Sequence, residues 1–397
     1  MSNRHDSRVF ADGGYRFAPE DWRVNNFDLI RLLAALQVVT AHTMTALQLH
    51  GVNATFFNLG IRLFPGVPIF FVVSGFLISK SFERSHSLYD YYRNRCLRIF
   101  PALWICLLAS VAVILMAGVA TLSPITSADW LGWWFAQMSL YQQYDPGFMR
   151  PRGIGWLNGS LWTIPIELEF YIILPILYGA LRLRKRSGDA ALICLIVASL
   201  AIHFRYSHPA LFPGTPAHDF WVETLVPYLW IFGVGVLMQR HWARVRKWLA
   251  GRAHWWLLGY VLLCVIAKRL HLSVGSADIN PLFLLPLAAL VLSCAVSWPA
   301  SSERLLRHMD VSYGTYIYHA LVLNVLLLLG VEGDFLSATV AIAISFALGA
   351  LSWWCVEQPF LRRKRESLRQ ALEGGQRSAA LQGVSADSPL ARVGTAP

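Results

Sequence analysis

The stretch RLLAALQVVTAH, residues 31–42, carries a guanidinium at one end, an imidazole at the other and ten uncharged residues between them. Extended to residues 27–49, it is long and apolar enough to cross a bilayer as a helix, which takes about 20 mainly apolar residues. Eleven residues turn a helix by roughly 1100°, about 20° past three full turns. Arg31 and His42 therefore share one face, about 16 Å apart along the axis. A charge inside a span costs about 2.5–3.5 kcal/mol on insertion scales, so the pair calls for a reason.

The rest of the chain has the same character. Of its 397 residues, 56% are hydrophobic and 14% charged, against about a quarter charged in soluble domains. Nine more apolar runs follow, at 63–82, 97–120, 161–181, 190–204, 220–238, 254–267, 281–299, 311–330 and 335–356, of which 190–204 and 254–267 are short. The reading is an all-α, polytopic membrane helix bundle of about ten spans. Residues 1–26 form an N-terminal arm, 27–360 the membrane domain, and 361–397 a tail that is basic and then disordered. The arm lacks the apolar core and cleavage site of a signal peptide.

When the connecting segments are assigned alternately to two sides, 27 of the 34 Lys and Arg residues fall on the side of both termini and six on the other. Basic loops stay in the cytoplasm, so both termini are expected there. The net charge of +11 is thus a topology signal with attraction to membrane lipids as a by-product, not a nucleic-acid footprint. The six cysteines lie in or beside apolar segments with no C-x-x-C pair. That spacing argues for packing residues and against a disulfide framework or a metal site. The aromatic stretch DWLGWWFAQMSLYQQY at 129–144 reads as an interfacial or re-entrant helix.

Three further segments carry polar groups at membrane depth. GSLWTIPIELEFYIILP (159–175) holds Glu167 about 9 Å below the outer surface, a depth close to that of His42. The expectation is that Glu167 orients the imidazole, as a carboxylate does for a general base. Glu169, two residues on, points to nearly the opposite face. RNRCLRIFPALW (93–104) places Arg95 and Arg98 on one helix face, and paired guanidinium forks suit a phosphate. SYGTYIYHALV (312–322) sets Tyr313, Tyr316 and His319 near mid-membrane, and these three with Glu169 are candidates for a polar substrate pocket. Glu357 closes the last span and is expected to pair with a basic loop. Each segment also has a plain structural reading, in helix packing or topology.

In order along the chain, FDLIRLLAALQVVTAH, FFVVSGFLISKSF, RNRCLRIFPALW, GSLWTIPIELEFYIILP, SYGTYIYHALV and WWCVEQPF resemble the acyltransferase 3 membrane proteins, over residues 25–362. At 166–171 the family usually has two adjacent glutamates followed by a glutamine. Here the run is IELEFY, so Glu167 matches while Leu168 and Glu169 depart. The resemblance implies an integral protein of a bacterial inner membrane. It would move an acyl group, most often acetyl from acetyl-coenzyme A, to a hydroxyl of a glycan or lipid-linked saccharide. It also implies roles: Arg31, Arg95 and Arg98 for the donor's phosphates, His42 as general base or transient acyl carrier, and Glu167 as its partner. A transporter or flippase for a polar solute is the alternative from another class.

Overall fold

The computed structural model describes residues 25–49, 61–85, 87–116, 128–138, 153–207, 224–271, 280–298, 301–307, 309–331 and 333–362. Most of the expected arm and tail lies outside them. All regular secondary structure among the described residues is helical, with no strand among them. In chain order the helices are α1 (Phe27–Ala46), α2 (Gly66–Arg84), α3 (Leu88–Met116), α4 (Ala128–Met138), α5 (Thr163–Ala180), α6 (Gly188–Ser207) and α7 (Leu229–Arg240). There follow α8 (Trp242–Leu249), α9 (Ala253–Arg269), α10 (Pro281–Val296), α11 (Ser301–Leu306), α12 (Ser312–Leu328) and α13 (Phe335–Ser352), which runs on into a π-turn at Trp353–Glu357.

Six of these helices are long and apolar enough to cross a membrane, and α8 with α9 makes a seventh if the 82° bend between them is one broken span. Each expected apolar run has a helix among its described residues, but α7, α10 and α12 have 12, 16 and 17 residues. At 1.5 Å per residue they fall short of a hydrocarbon core about 30 Å thick. The chain is an integral membrane protein with six to seven candidate spans. The run at 190–204, short by sequence, belongs to a helix of full length because α6 begins at Gly188 and continues to Ser207. Of the aromatic stretch, α4 holds the first half, with Trp133 buried and Phe135 exposed; residues 139–144 lie outside the described ones.

Close helix packing in lipid rests on small residues that let backbones approach. A Cβ on Gly75 of α2 would stand 2.1 Å from the Phe232 carbonyl oxygen, and one on Gly235 of α7 would stand 2.2 Å from that of Val72. Gly314 of α12 and Gly349 of α13 likewise face each other across a contact with no room for a side chain. Helix α12 is the axis of the bundle: every residue from Ser312 to Asn324 is buried. Its short length follows from that position, inside protein rather than in contact with lipid.

Polar anchors set the register of the helices around α12. Asn26, just before α1, donates to the carbonyls of Cys294, Ser297 and Trp298 and accepts from the Ser302 N–H, which satisfies groups left over at the end of α10. The segment leading into α5 is pinned to α12 from both ends. Asn324 donates to the Trp156 and Leu157 carbonyls and accepts from the Ile154 N–H, while Asn158 donates to the Ile317 carbonyl. These contacts bring the start of α5, with Thr163 and Glu167, against the centre of α12.

Candidate active site

Arg31 and His42 do share a face, and that face is turned on α12. Arg31 Nη1 lies 2.9 Å from Asp310 Oδ2, just before α12 begins. His42 Nδ1 lies 2.9 Å from His319 Nε2, on the third turn of α12. Both pairs ascend together, so α1 and α12 run in the same direction. The two contacts mark the two ends of one seam, labelled inner and outer after the topology expected from the basic loops.

At the inner end Asp310 holds two arginines. Its Oδ2 takes the guanidiniums of Arg31 and Arg98, and its Oδ1 accepts from the Ser312 hydroxyl at 2.5 Å. The Asp310 side chain is 7% exposed and that of Arg31 12%. Two guanidiniums meet one carboxylate in a place with little water, where electrostatic interactions are strong. Glu357 is buried nearby on the final π-turn, bonded by the Ser352 hydroxyl at 3.3 Å, and this turn packs on α3. Its observed bond is thus to Ser352 within the bundle rather than to a basic loop.

Arg95 stands apart from this cluster. Its guanidinium donates to Ser81 Oγ at 2.6 Å and lies over the rings of Tyr91 and Tyr171. The Nε groups of Arg93 and Arg95 are buried without a hydrogen-bond partner. The expected trio of arginines is therefore divided, with Arg31 and Arg98 joined through Asp310 and Arg95 one turn away on α3.

Glu167 corrects the expected pairing. It accepts from the Tyr171 hydroxyl at 2.5 Å and from Ser74 Oγ at 3.2 Å, whereas His42 is bonded to His319. Equal depth did not make the two residues neighbours, because α12 and not α5 lies along the Arg31–His42 face. Instead Glu167 lines a cavity of about 30 Å³ with Arg31, Phe70, Thr163, Tyr313 and Tyr316. That volume holds a couple of waters. Glu169 points elsewhere and accepts from the Leu225 N–H at 2.6 Å.

The tyrosines connect the cavity to the outer end of the seam. The Tyr313 hydroxyl donates to the Ile99 carbonyl, and the Tyr316 hydroxyl is 2.8 Å from Thr163 Oγ1. The Tyr316 carbonyl accepts from His319 Nδ1 at 2.5 Å. His319 has no exposed surface, while His42 in front of it keeps an open edge. Asp310 escaped the sequence reading because it is a lone acid in the short link MDVS, without periodicity. Two buried arginines in need of a counter-charge were the signal that could have found it.

This arrangement sets a pair of arginines at one end of a polar seam and an imidazole at the other, which suits an anionic donor and a proton transfer. The family described as "Acyltransferase domain" (Acyl_transf_3) matches residues 24–356. The chain is 33% identical to Nodulation protein 10 of Rhizobium leguminosarum bv. viciae over 88% of its own length and 96% of that protein. It is 26% identical to the O-acetyl transferase of Shigella phage Sf6, over 87% and 98% of the two chains. A putative peptidoglycan O-acetyltransferase, YrhL of Bacillus subtilis (strain 168), is 28% identical over 45% of this chain and 28% of its own. No solved structure matches. The protein is an O-acyltransferase, and the chain belongs to the acyltransferase 3 family of membrane proteins.

Proposed function

We propose that the protein moves an acyl group, acetyl in the first instance, from cytoplasmic acyl-coenzyme A to a hydroxyl of a glycan or lipid-linked saccharide on the outer side of a bacterial inner membrane. The chain would cross that membrane ten times with both termini in the cytoplasm, the short helices included. The observation that carries this reading is the seam: Arg31 and His42 both face α12, and Glu167, Tyr313 and Tyr316 line a cavity reached by Arg31. Arg31, Arg95 and Arg98 fit the donor's phosphates. The two buried Nε donors at Arg93 and Arg95 support that role. Phe70, Tyr313 and Tyr316 line the cavity that the acyl thioester would enter.

His42 then serves as general base. It takes the proton of the acceptor hydroxyl as the new C–O bond forms and the thioester C–S bond breaks, and it returns that proton to the departing thiolate. The names of two relatives, an O-acetyl transferase and a putative peptidoglycan O-acetyltransferase, favour acetyl and a saccharide. Mass spectrometry of surface glycans from a deletion strain tests the reading. An acyl mass should disappear, return with the wild-type gene and stay absent with His42→Ala. Identical glycan masses in parent and deletion strains would remove the proposal.

A further inference from the structure

We infer that His319 is a positioning residue that fixes the tautomer of His42 and so makes its Nε2 the proton acceptor. This rests on the reading of His42 as the base of the transfer. The Tyr316 carbonyl is the member of this chain of contacts whose role is chemically fixed. A carbonyl can only accept, so His319 Nδ1, 2.5 Å away, must carry its proton. His319 has no exposed surface, and among the described residues its hydrogen-bond and ring contacts are His42, the Tyr316 carbonyl and the Tyr316 ring, with ring centroids 5.7 Å apart. None of these is a carboxylate. An imidazolium there would be a charge out of water with no counter-ion, so the ring is neutral. With Nδ1 protonated, neutral His319 has a bare Nε2.

That nitrogen faces His42 Nδ1 at 2.9 Å, and a bare nitrogen needs a donor. His42 therefore carries its proton on Nδ1, and its own Nε2 is left with a lone pair. Because Nδ1 faces inward, Nε2 lies on the opposite side of the ring, and His42 is the half of the pair with exposed surface. When His42 takes up a proton at Nε2, Nδ1–H remains bonded to His319, so the imidazolium forms without losing its partner. The relay runs from Tyr316 carbonyl to His319 to His42. His319 thus performs, as a neutral group, the orienting task that a carboxylate performs in serine hydrolases. A neutral partner suits this depth, since it adds no buried charge.

Nitrogen-15 spectra of histidine-labelled protein in lipid nanodiscs test the tautomer directly, with the His42 signals assigned by their loss in His42→Gln. The expected result is a protonated Nδ1 and an unprotonated Nε2 at His42. His319→Leu should give a mixture of tautomers and lower kcat about 100-fold or more, with the KM for acetyl-coenzyme A within about twofold. His319→Gln, whose Oε1 can stand in for Nε2 as acceptor, should restore the single tautomer and most of kcat. If His319→Leu does not fold, the wild-type and His319→Gln spectra still decide. A protonated Nε2 on wild-type His42, or spectra and kcat unchanged in His319→Leu, would overturn the inference. Transfer that survives His42→Ala, beside an unprotonated Nε2, would overturn the base role of His42 and leave the tautomer assignment standing.

Discussion

The two ends of the α1–α12 seam solve the problem of polar groups at membrane depth in opposite ways. At the inner end Arg31 and Arg98 converge on Asp310, and charge is balanced against charge. At the outer end His42, His319 and the Tyr316 carbonyl form a chain of neutral groups, each satisfied by hydrogen bonding. On the proposed reading the inner end also suits a polyanion, and at the outer end a neutral partner leaves His42 a lone pair without adding a buried charge. The lesson is that burial does not dictate one remedy; the chemistry required at each place selects it.

The sharpest way to break the comparison is His42→Ala. On the proposed reading it removes the base and not a charge, so acyl transfer should fall at least about 10³-fold while the amount of folded protein in the membrane is unchanged. Immunoblots beside an acetyl-transfer assay check this; activity near wild type would leave the outer end without a catalytic part. Asp310→Asn should act on stability instead. It leaves two guanidiniums facing each other without their carboxylate, and breaking such a buried pair costs about 3–5 kcal/mol. Thermal unfolding in detergent measures it. Coenzyme A should raise the melting temperature of this variant more than that of the wild type, because its phosphates replace the lost carboxylate. A smaller gain in the variant would argue that the donor does not bind there.

Glu167→Gln is expected to lie between these and nothing. Gln keeps an acceptor for the Tyr171 hydroxyl, and Glu167 does not touch His42, so kcat should fall by less than the about 100-fold that marks the loss of a base's partner. A larger loss would restore Glu167 to the role read from its depth. The smallest effect belongs to Glu169→Gln. Its oxygen can still take the Leu225 N–H, so stability should change by about 1 kcal/mol or less and the transfer rate should not change.

Much of this was legible before any coordinates. Length and apolarity marked the helical runs, and the eleven-residue spacing put Arg31 and His42 on one face by helix geometry alone. What periodicity cannot supply is which helix that face meets. Depth made Glu167 a plausible neighbour of His42, yet depth is one coordinate of three. The partner is His319 on α12, which the sequence marks only as part of a polar pocket. Asp310 was invisible for a related reason, since a single acid between two helices has no pattern around it. Families of packed helices declare their faces in sequence and keep their neighbours hidden.

The parallel register of α1 and α12 has a metric consequence. Because Arg31 and His42 are spaced by about three helical turns, roughly 16 Å, and both are tied to the same neighbouring helix, their separation is a fixed length that side-chain motion alone cannot shorten much. The seam is a gauge. A carrier whose anionic head and reactive carbonyl are closer together than that length cannot touch both marks at once, whatever acyl group it bears.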